Sequence, residues 1–442
     1  MNASDRDLMI RSALRPSAEV LAPADLGDSI YNEIVRTPQR RGLVRLGRLG
    51  SLPAPSPLLG TLVLLALLAV ALVIVVLSRP TSPPILAMYH GGPDRTGVMP
   101  GPGPVGEPVI QWDVPRLGAL PFNSMPVPAD GRLIVGDDSG ALAALDQDTG
   151  MVVWEEDVGS PIRGSPAMND ALVFVGTESG EVVAAPATGG GLAWRRDLES
   201  GPVLASLLVA DDVLYAGTDA GILFALDPAS GAEQWKLDVG GAVTRGPAFG
   251  DGVLYVGAAG GRFSAIDVAT HAIRWTADLG AGEVGTPTLG NGLVYAGRGL
   301  LAADSDHALV AMNVADGSTA WQWTSPGGGQ AHMGGLAAGR AYAATDDGTL
   351  AALDALTGEE IWTNRFGQKL PNLVSIVDDV LYVSAEPRSV RAVDARSGFE
   401  LWNVEVVGNA SMPAVVGGRV FVGTNLGRVV AIGGSDRNSA AP

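Results

Sequence analysis

The stretch Asp211-Asp212-Val213-Leu214-Tyr215-Ala216-Gly217, followed by Gly221-Ile222-Leu223-Phe224-Ala225-Leu226-Asp227 and then Ser230-Gly231-Ala232-Glu233-Gln234-Trp235, decides the fold. Its apolar runs are short and bounded by Asp and Gly, as half-buried strands between tight turns require. The same unit recurs along the chain, and its closing tryptophan marks the period: Trp112, Trp154, Trp194, Trp235, Trp275, Trp321, Trp362 and Trp402. The intervals are 42, 40, 41, 40, 46, 41 and 40 residues. A repeat of roughly 40–45 residues is that of a propeller blade with four antiparallel strands.

Each part of the unit has a physical reason. Asp130-Gly131, Asp251-Gly252, Asn291-Gly292 and Asp378-Asp379 suit a two-residue turn, because these residues tolerate positive φ. A second turn, Asp-x-x-Thr/Ser-Gly, spans 146–150, 227–231, 354–358 and 394–398. There the Asp carboxylate can cap the turn backbone while Gly takes the left-handed position. The tryptophan that follows lies on the outer strand, where its ring can pack on a neighbouring blade and its N–H can find an acceptor.

Seven complete units end at Trp154 through Trp402, and an eighth starts at Met412 but stops near Gly433 without an outer strand. Pro108 to Val114, with Trp112, is an outer strand with no blade before it. The expectation is an all-β, eight-bladed propeller over residues 108–433 in which the N-terminal strand completes the last blade and removes an exposed edge.

Outside the repeats, Leu58 to Leu77 is a charge-free apolar run long enough to cross the roughly 30 Å of a bilayer core. It reads as one transmembrane helix over 57–78. A cleaved signal peptide is the competing reading, against which stand the long polar segment before it and a poor cleavage site at Ser78-Arg79-Pro80. Arg36, Arg40, Arg41, Arg45 and Arg48 precede the run, and only Arg79 and Arg95 follow it closely. That asymmetry puts residues 1–56 in the cytoplasm and the repeats outside the cytoplasmic membrane. Within 1–56, Leu26, Ile30, Ile34 and Val35 recur at helical spacing behind Asp25, as in a short amphipathic helix. Residues 79–108 hold eight prolines and six glycines, so 79–107 reads as an extended linker. Residues 434–442 read as a disordered tail.

The formal charge is −18, and residues 1–56 carry 8 Lys+Arg against 6 Asp+Glu, leaving 21 against 41 for the rest. So acidic a body argues against a nucleic-acid partner. There is no cysteine, hence no disulfide and no thiolate metal site.

With the repeats laid out, Gly-x-Leu/Val-x-Ala-Leu-Asp-x-x-Thr/Ser-Gly-x-x-x-Trp resembles the PQQ-like propeller repeat, found in pyrroloquinoline-quinone alcohol dehydrogenases and in BamB-type assembly lipoproteins. The lead-in Gly92-Pro93-Asp94-Arg95-Thr96-Gly97 is similar to the segment before such propellers. For the dehydrogenases the resemblance implies PQQ held against a vicinal disulfide and a Ca²⁺ ion. A chain without cysteine cannot supply that disulfide, and no carboxylate cluster aligns with the family's Ca²⁺ ligands or general base. The turns Asp137-Asp138-Ser139-Gly140 and Thr345-Asp346-Asp347-Gly348 repeat with the blades and read as turns. His90, His271, His307 and His332 are scattered, none at metal-ligand spacing. The expectation is a binding module with no catalytic residue, no metal and no cofactor; PQQ with Ca²⁺ is the alternative.

Propellers bind at the face formed by the blade-to-blade loops and the loops between second and third strands. The first set carries Arg163, Arg245, Glu283, His332 and Asn372, and the second Asp138, Glu178, Asp219 and Asp346. The residues that break the repeat are the informative ones, and the first set, Arg163, Arg245, Glu283, His332 and Asn372, is the candidate site. Arg163 and Arg245 are expected at equivalent places, as a positive spot in an acidic surround. Three functions stand: an envelope scaffold that binds protein, as in the BamB branch; a quinoprotein oxidoreductase; and a transmembrane sensor signalling through residues 1–56.

Overall fold

Alternation of apolar and polar residues is strongest in the fourth strand of each repeat, and there the structure alternates exposed and half-buried positions, as in Glu233–Asp238. The second and third strands are mostly apolar and buried, as in Val213–Gly217 and Ile222–Leu226. The computed structural model describes residues 88–115, 125–302, 307–370 and 374–435. They form eight four-stranded antiparallel sheets. We number the blades in chain order; blade 1 comprises Val127–Ala129, Arg132–Gly136, Ala141–Asp146 and Val152–Asp157. Blades 2 to 7 span 167–197, 208–238, 248–278, 288–323, 331–365 and 375–405. In blade 8, Pro108–Pro115 pairs with Arg428–Gly434, from Pro108 opposite Gly434 to Pro115 opposite Arg428. Arg428 Nε reaches Asp113 Oδ1 at 2.6 Å and Arg419 Nη1 reaches Asp148 Oδ1 in blade 1 at 2.6 Å. The ring closes as the repeat count requires. The last strand runs through Gly434, and Ser435 N–H bonds Glu107 O, so the propeller extends past residue 433 into the stretch read as tail.

The tryptophans join successive blades. Trp112, Trp154, Trp194, Trp275, Trp321 and Trp362 each donate Nε1–H to a carbonyl in the next blade's outer turn, at 2.9–3.1 Å. The glycine of that turn covers the ring. A Cβ on Gly358, whose φ is +74°, would lie 2.6 Å from Trp321. His271 stands at this position in blade 4 with φ 58° and stacks its own ring on Trp235 at 4.9 Å. Gly358→Val therefore combines left-handed strain with overpacking, and should lower stability by about 2–4 kcal/mol in urea unfolding. An unchanged midpoint would contradict this account of the motif.

The largest departure from expectation is the lead-in. Residues 88–107 are not a free linker; as far as residue 102 they line the central channel and pair with the inner strands of five consecutive blades. Phe249 N–H bonds Pro93 O, Leu289 bonds Asp94 O, Leu336 bonds Thr96 O and Ile376 bonds Gly97 O, each at 2.8 Å. Gly417 and Gly418 then donate to Gly101 O and Pro102 O. The inner strands of a propeller present unpaired backbone groups to the channel, and this segment satisfies them. Met88, His90, Arg95 and Met99 are buried. Asp94 faces the hairpin side, where it lines a cleft of ≈ 380 Å³ with Asp251 and Asn291.

The amphipathic stretch in 1–56, the apolar run 57–78 and residues 436–442 lie outside the described residues. Among those described, no helix is long and apolar enough to cross a membrane.

Candidate functional site

The loops joining blades are held from beneath by one repeated bond. Ile162 N–H bonds Asp137 O, Val203 bonds Thr177 O, Val243 bonds Thr218 O and Leu370 bonds Thr345 O, at 2.9–3.0 Å. These anchors show that Arg163 and Arg245 are not equivalent. Arg163 is the first residue past its anchor, whereas Arg245 is the second and lies closer to the inner strand.

The consequence is chemical. Arg163 bridges Asp138 at 2.7 Å and Glu178 at 3.2 Å, so it is a neutralised loop strut and not a free positive spot. Asp138 is buried, and that burial, with Asp137 and Glu178 near, holds its carboxyl above the usual value despite Arg163. Asp137 Oδ1 accepts from Ser139 N, Ser139 Oγ and Ala141 N, the turn expected of that segment. Thr345-Asp346-Asp347-Gly348 closes likewise, with Asp347 bonding Thr349 N–H and Ser325 Oγ. Asp219 is exposed. Asn372 lies outside the described residues.

Arg245, Glu283 and His332 do come together, around the axis above the lead-in. Arg245 Nε is 3.5 Å from Glu283 Oε2, and neither atom makes a hydrogen bond. The floor beneath them is made by three residues missing from the candidate set. Arg95 donates from Nε to Pro247 O at 3.0 Å, from Nη2 to Leu207 O at 2.9 Å, and from Nη1 to Tyr89 O. His90 Nε2 lies 3.1 Å from Gly334 O and 3.3 Å from Val374 O. His332, expected in a loop, is the second residue of the inner strand Ala331–Ala337; Pro247 is two residues past Arg245, and Gly334 two past His332, so each of the two stands over its partner in the lead-in. Tyr89 lies beside Arg95, with the guanidinium 5.6 Å from its ring centre. Burial raises the Tyr89 phenol above its ordinary pKa, against the pull of Arg245, Arg95 and the Thr286 hydroxyl. Burial and Arg245 push His332 down to about 4, against Asp346, so the ring is neutral near pH 7.

This arrangement offers hydrogen-bond donors and one weakly paired cation. No nucleophile sits beside a base within it, and among the described residues no group of three or more His, Asp or Glu side chains is arranged to hold a metal.

The sequence profile described as outer membrane protein assembly factor BamB matches residues 109–242, 219–335 and 323–439. The BamB of Shewanella oneidensis is 27% identical over an alignment of 152 residues that covers 30% of this chain and 38% of that protein; the alignment thus spans less than half of that relative. Among solved structures, BamB from Moraxella catarrhalis superposes with TM-score 0.61 at 22% identity, covering 74% of this chain and 100% of that one. Quinohemoprotein alcohol dehydrogenase from Comamonas testosteroni gives TM-score 0.63 at 13% identity, covering 81% and 82%. At such identities the superpositions establish the fold alone. Carrying eight blades of this repeat, and matched by the profile over most of its length, the chain belongs to the outer membrane protein assembly factor BamB family.

Proposed function

We propose that this protein is a non-enzymatic, protein-binding module of the cell envelope, held to the cytoplasmic membrane by residues 57–78 with its propeller outside. Family membership carries the reading: the relatives' names assign those proteins to outer-membrane protein assembly. The loop face supplies a braced surface, since the described loops are tied to the blades by the backbone bonds at Ile162, Val203, Val243 and Leu370. A quinoprotein reading draws on the dehydrogenase fold neighbour. The residues present do not fit it: there is no cysteine for the vicinal disulfide, and no described oxygen cluster suits Ca²⁺. We therefore propose no quinone.

The test is face-specific crosslinking of the full-length protein in its own cells. A photoreactive residue at Glu178, on the loop face, is expected to trap a discrete protein adduct that the same residue at Asn291, on the hairpin side, does not. Equal trapping at both positions, or none at either, sinks the proposal.

A further inference from the structure

The two arginines of the loop face differ in one respect that bears on ligand chemistry. Arg163 spends its guanidinium on two carboxylates at hydrogen-bonding distance. Arg245 has a single acidic neighbour, Glu283, too distant and misaligned for a hydrogen bond, and among the described residues none accepts from its Nη atoms. Its side chain keeps 39% exposure, so solvent reaches it. A guanidinium presents paired N–H groups that match a carboxylate, and such a pair is stronger inside a low-dielectric recess than on open surface.

The surroundings reinforce this. Arg95 lies directly below, its Nη2 3.5 Å from where a Cβ on Gly246 would stand. It is fully buried, and among the described residues no carboxylate pairs with it. Two cations therefore stack along the axis in a chain of net charge −18. Tyr89 from the lead-in and His332 from the start of blade 6's inner strand, Ala331–Ala337, flank Arg245, each with a polar group able to donate. A large polyanion is repelled by the acidic exterior, while a single carboxylate on a small or slender group can reach the recess.

We infer that Arg245, Tyr89 and His332 form an axial anion site over the lead-in, which takes one carboxylate. Arg245 binds it bidentately, and Tyr89 is a specificity residue supplied by the N-terminal segment. The carboxylate comes either from a small free acid or from a side chain or C-terminus displayed by the protein partner. The second source rests on the binding-module reading; the first does not.

Succinate, titrated into the purified full-length protein, is the probe for the free acid. Saturable binding is expected, weakened at least tenfold by Arg245→Gln, about threefold by Tyr89→Phe, and unaffected by Arg274→Gln, a rim arginine paired with Asp267. The His332 ring, followed by NMR, gives a readout that a purely structural role would not move. Its pKa of about 4 is held down partly by Arg245, so both succinate and Arg245→Gln should raise it. If the carboxylate belongs to a partner, succinate leaves the protein unchanged, but Arg245→Gln reduces the adduct trapped at Glu178 several-fold while Arg274→Gln does not. Succinate binding that survives Arg245→Gln overturns the site, as does absence of succinate binding together with an adduct indifferent to that change. Succinate binding without any adduct leaves the site standing and removes the protein-binding reading.

Discussion

Arg95→Ala is expected to destabilise the propeller by about 3–5 kcal/mol in urea unfolding. The side chain is fully buried, and its three nitrogens bond carbonyls from three places: Pro247 just ahead of blade 4, Leu207 just ahead of blade 3, and Tyr89 in the lead-in itself. Burial brings its pKa to about 10, so it remains charged at neutral pH. Truncation leaves those carbonyls without a donor in a place water does not reach, and leaves a cavity; each orphaned group costs about 1–3 kcal/mol. The segment it pins should loosen with it. Hydrogen exchange at the Phe249, Leu289, Leu336 and Ile376 amides, which bond the lead-in, should accelerate far more than exchange in the second and third strands. Arg95→Lys should recover only part of the loss, because one ammonium cannot serve three diverging carbonyls. An Arg95→Ala protein within about 0.5 kcal/mol of the parent would show that the lead-in is an ornament of the channel and not part of its structure.

That this segment was illegible in the sequence has a physical cause. Blades announce themselves through side chains: the tryptophan that packs on the next turn, the Asp that caps it, the Gly or His271 beneath the ring. The lead-in binds through its main chain and through two isolated side chains, Arg95 and His90, which leaves no periodicity, and its Gly and Pro content is what a linker would also have. Gly97, at φ +78° between the His90 ring and Val374 O, is there for close approach and not for flexibility. Two signals are available: the resemblance of Gly92 to Gly97 to the segment before such propellers, and a lone Arg95 with Met88, His90 and Met99 in an otherwise polar, irregular stretch. The closure was legible because an unpaired outer strand and an unfinished blade are complementary counts. Arg163 and Arg245 differ for a smaller reason: the two loops are equally long, running over 158–166 and 239–247, but the arginines sit one position apart within them, as the backbone bonds at Ile162 and Val243 show. Arg245, Glu283 and His332 were found because they interrupt the repeat, but Tyr89 lies outside the repeat and had nothing to interrupt.

The second large effect expected is acid sensitivity centred on the same segment. His90 is fully buried. Its Nε2–H points at Gly334 O and Val374 O, while Nδ1 is buried and has no partner. Charging the ring puts a second proton in a place water does not reach and adds a cation beside Arg95, which outweighs the help of nearby backbone carbonyls. Burial accordingly lowers the His90 pKa from 6.5 to about 4. Between these values the unfolded chain binds a proton that the folded protein does not, so stability is fully present above pH 6.5 and falls as pH drops towards 4. At about 1.4 kcal/mol per pH unit, the loss from His90 alone approaches about 3 kcal/mol at pH 4. His332 has the same sign, with a smaller share because it is only half-buried. The turn carboxylates act elsewhere: Asp267 and Asp347, held near 2, lose their contribution only below pH 4. Asp138, raised by burial, opposes the trend. Urea unfolding at pH 7.5 and 4.5 should therefore differ by about 2–3 kcal/mol. His90→Gln, whose amide can still donate to Gly334 O but does not titrate, should flatten most of that difference. If the parent protein is equally stable at both pH values, or if His90→Gln keeps the full slope, the buried neutral histidine is not the group that titrates.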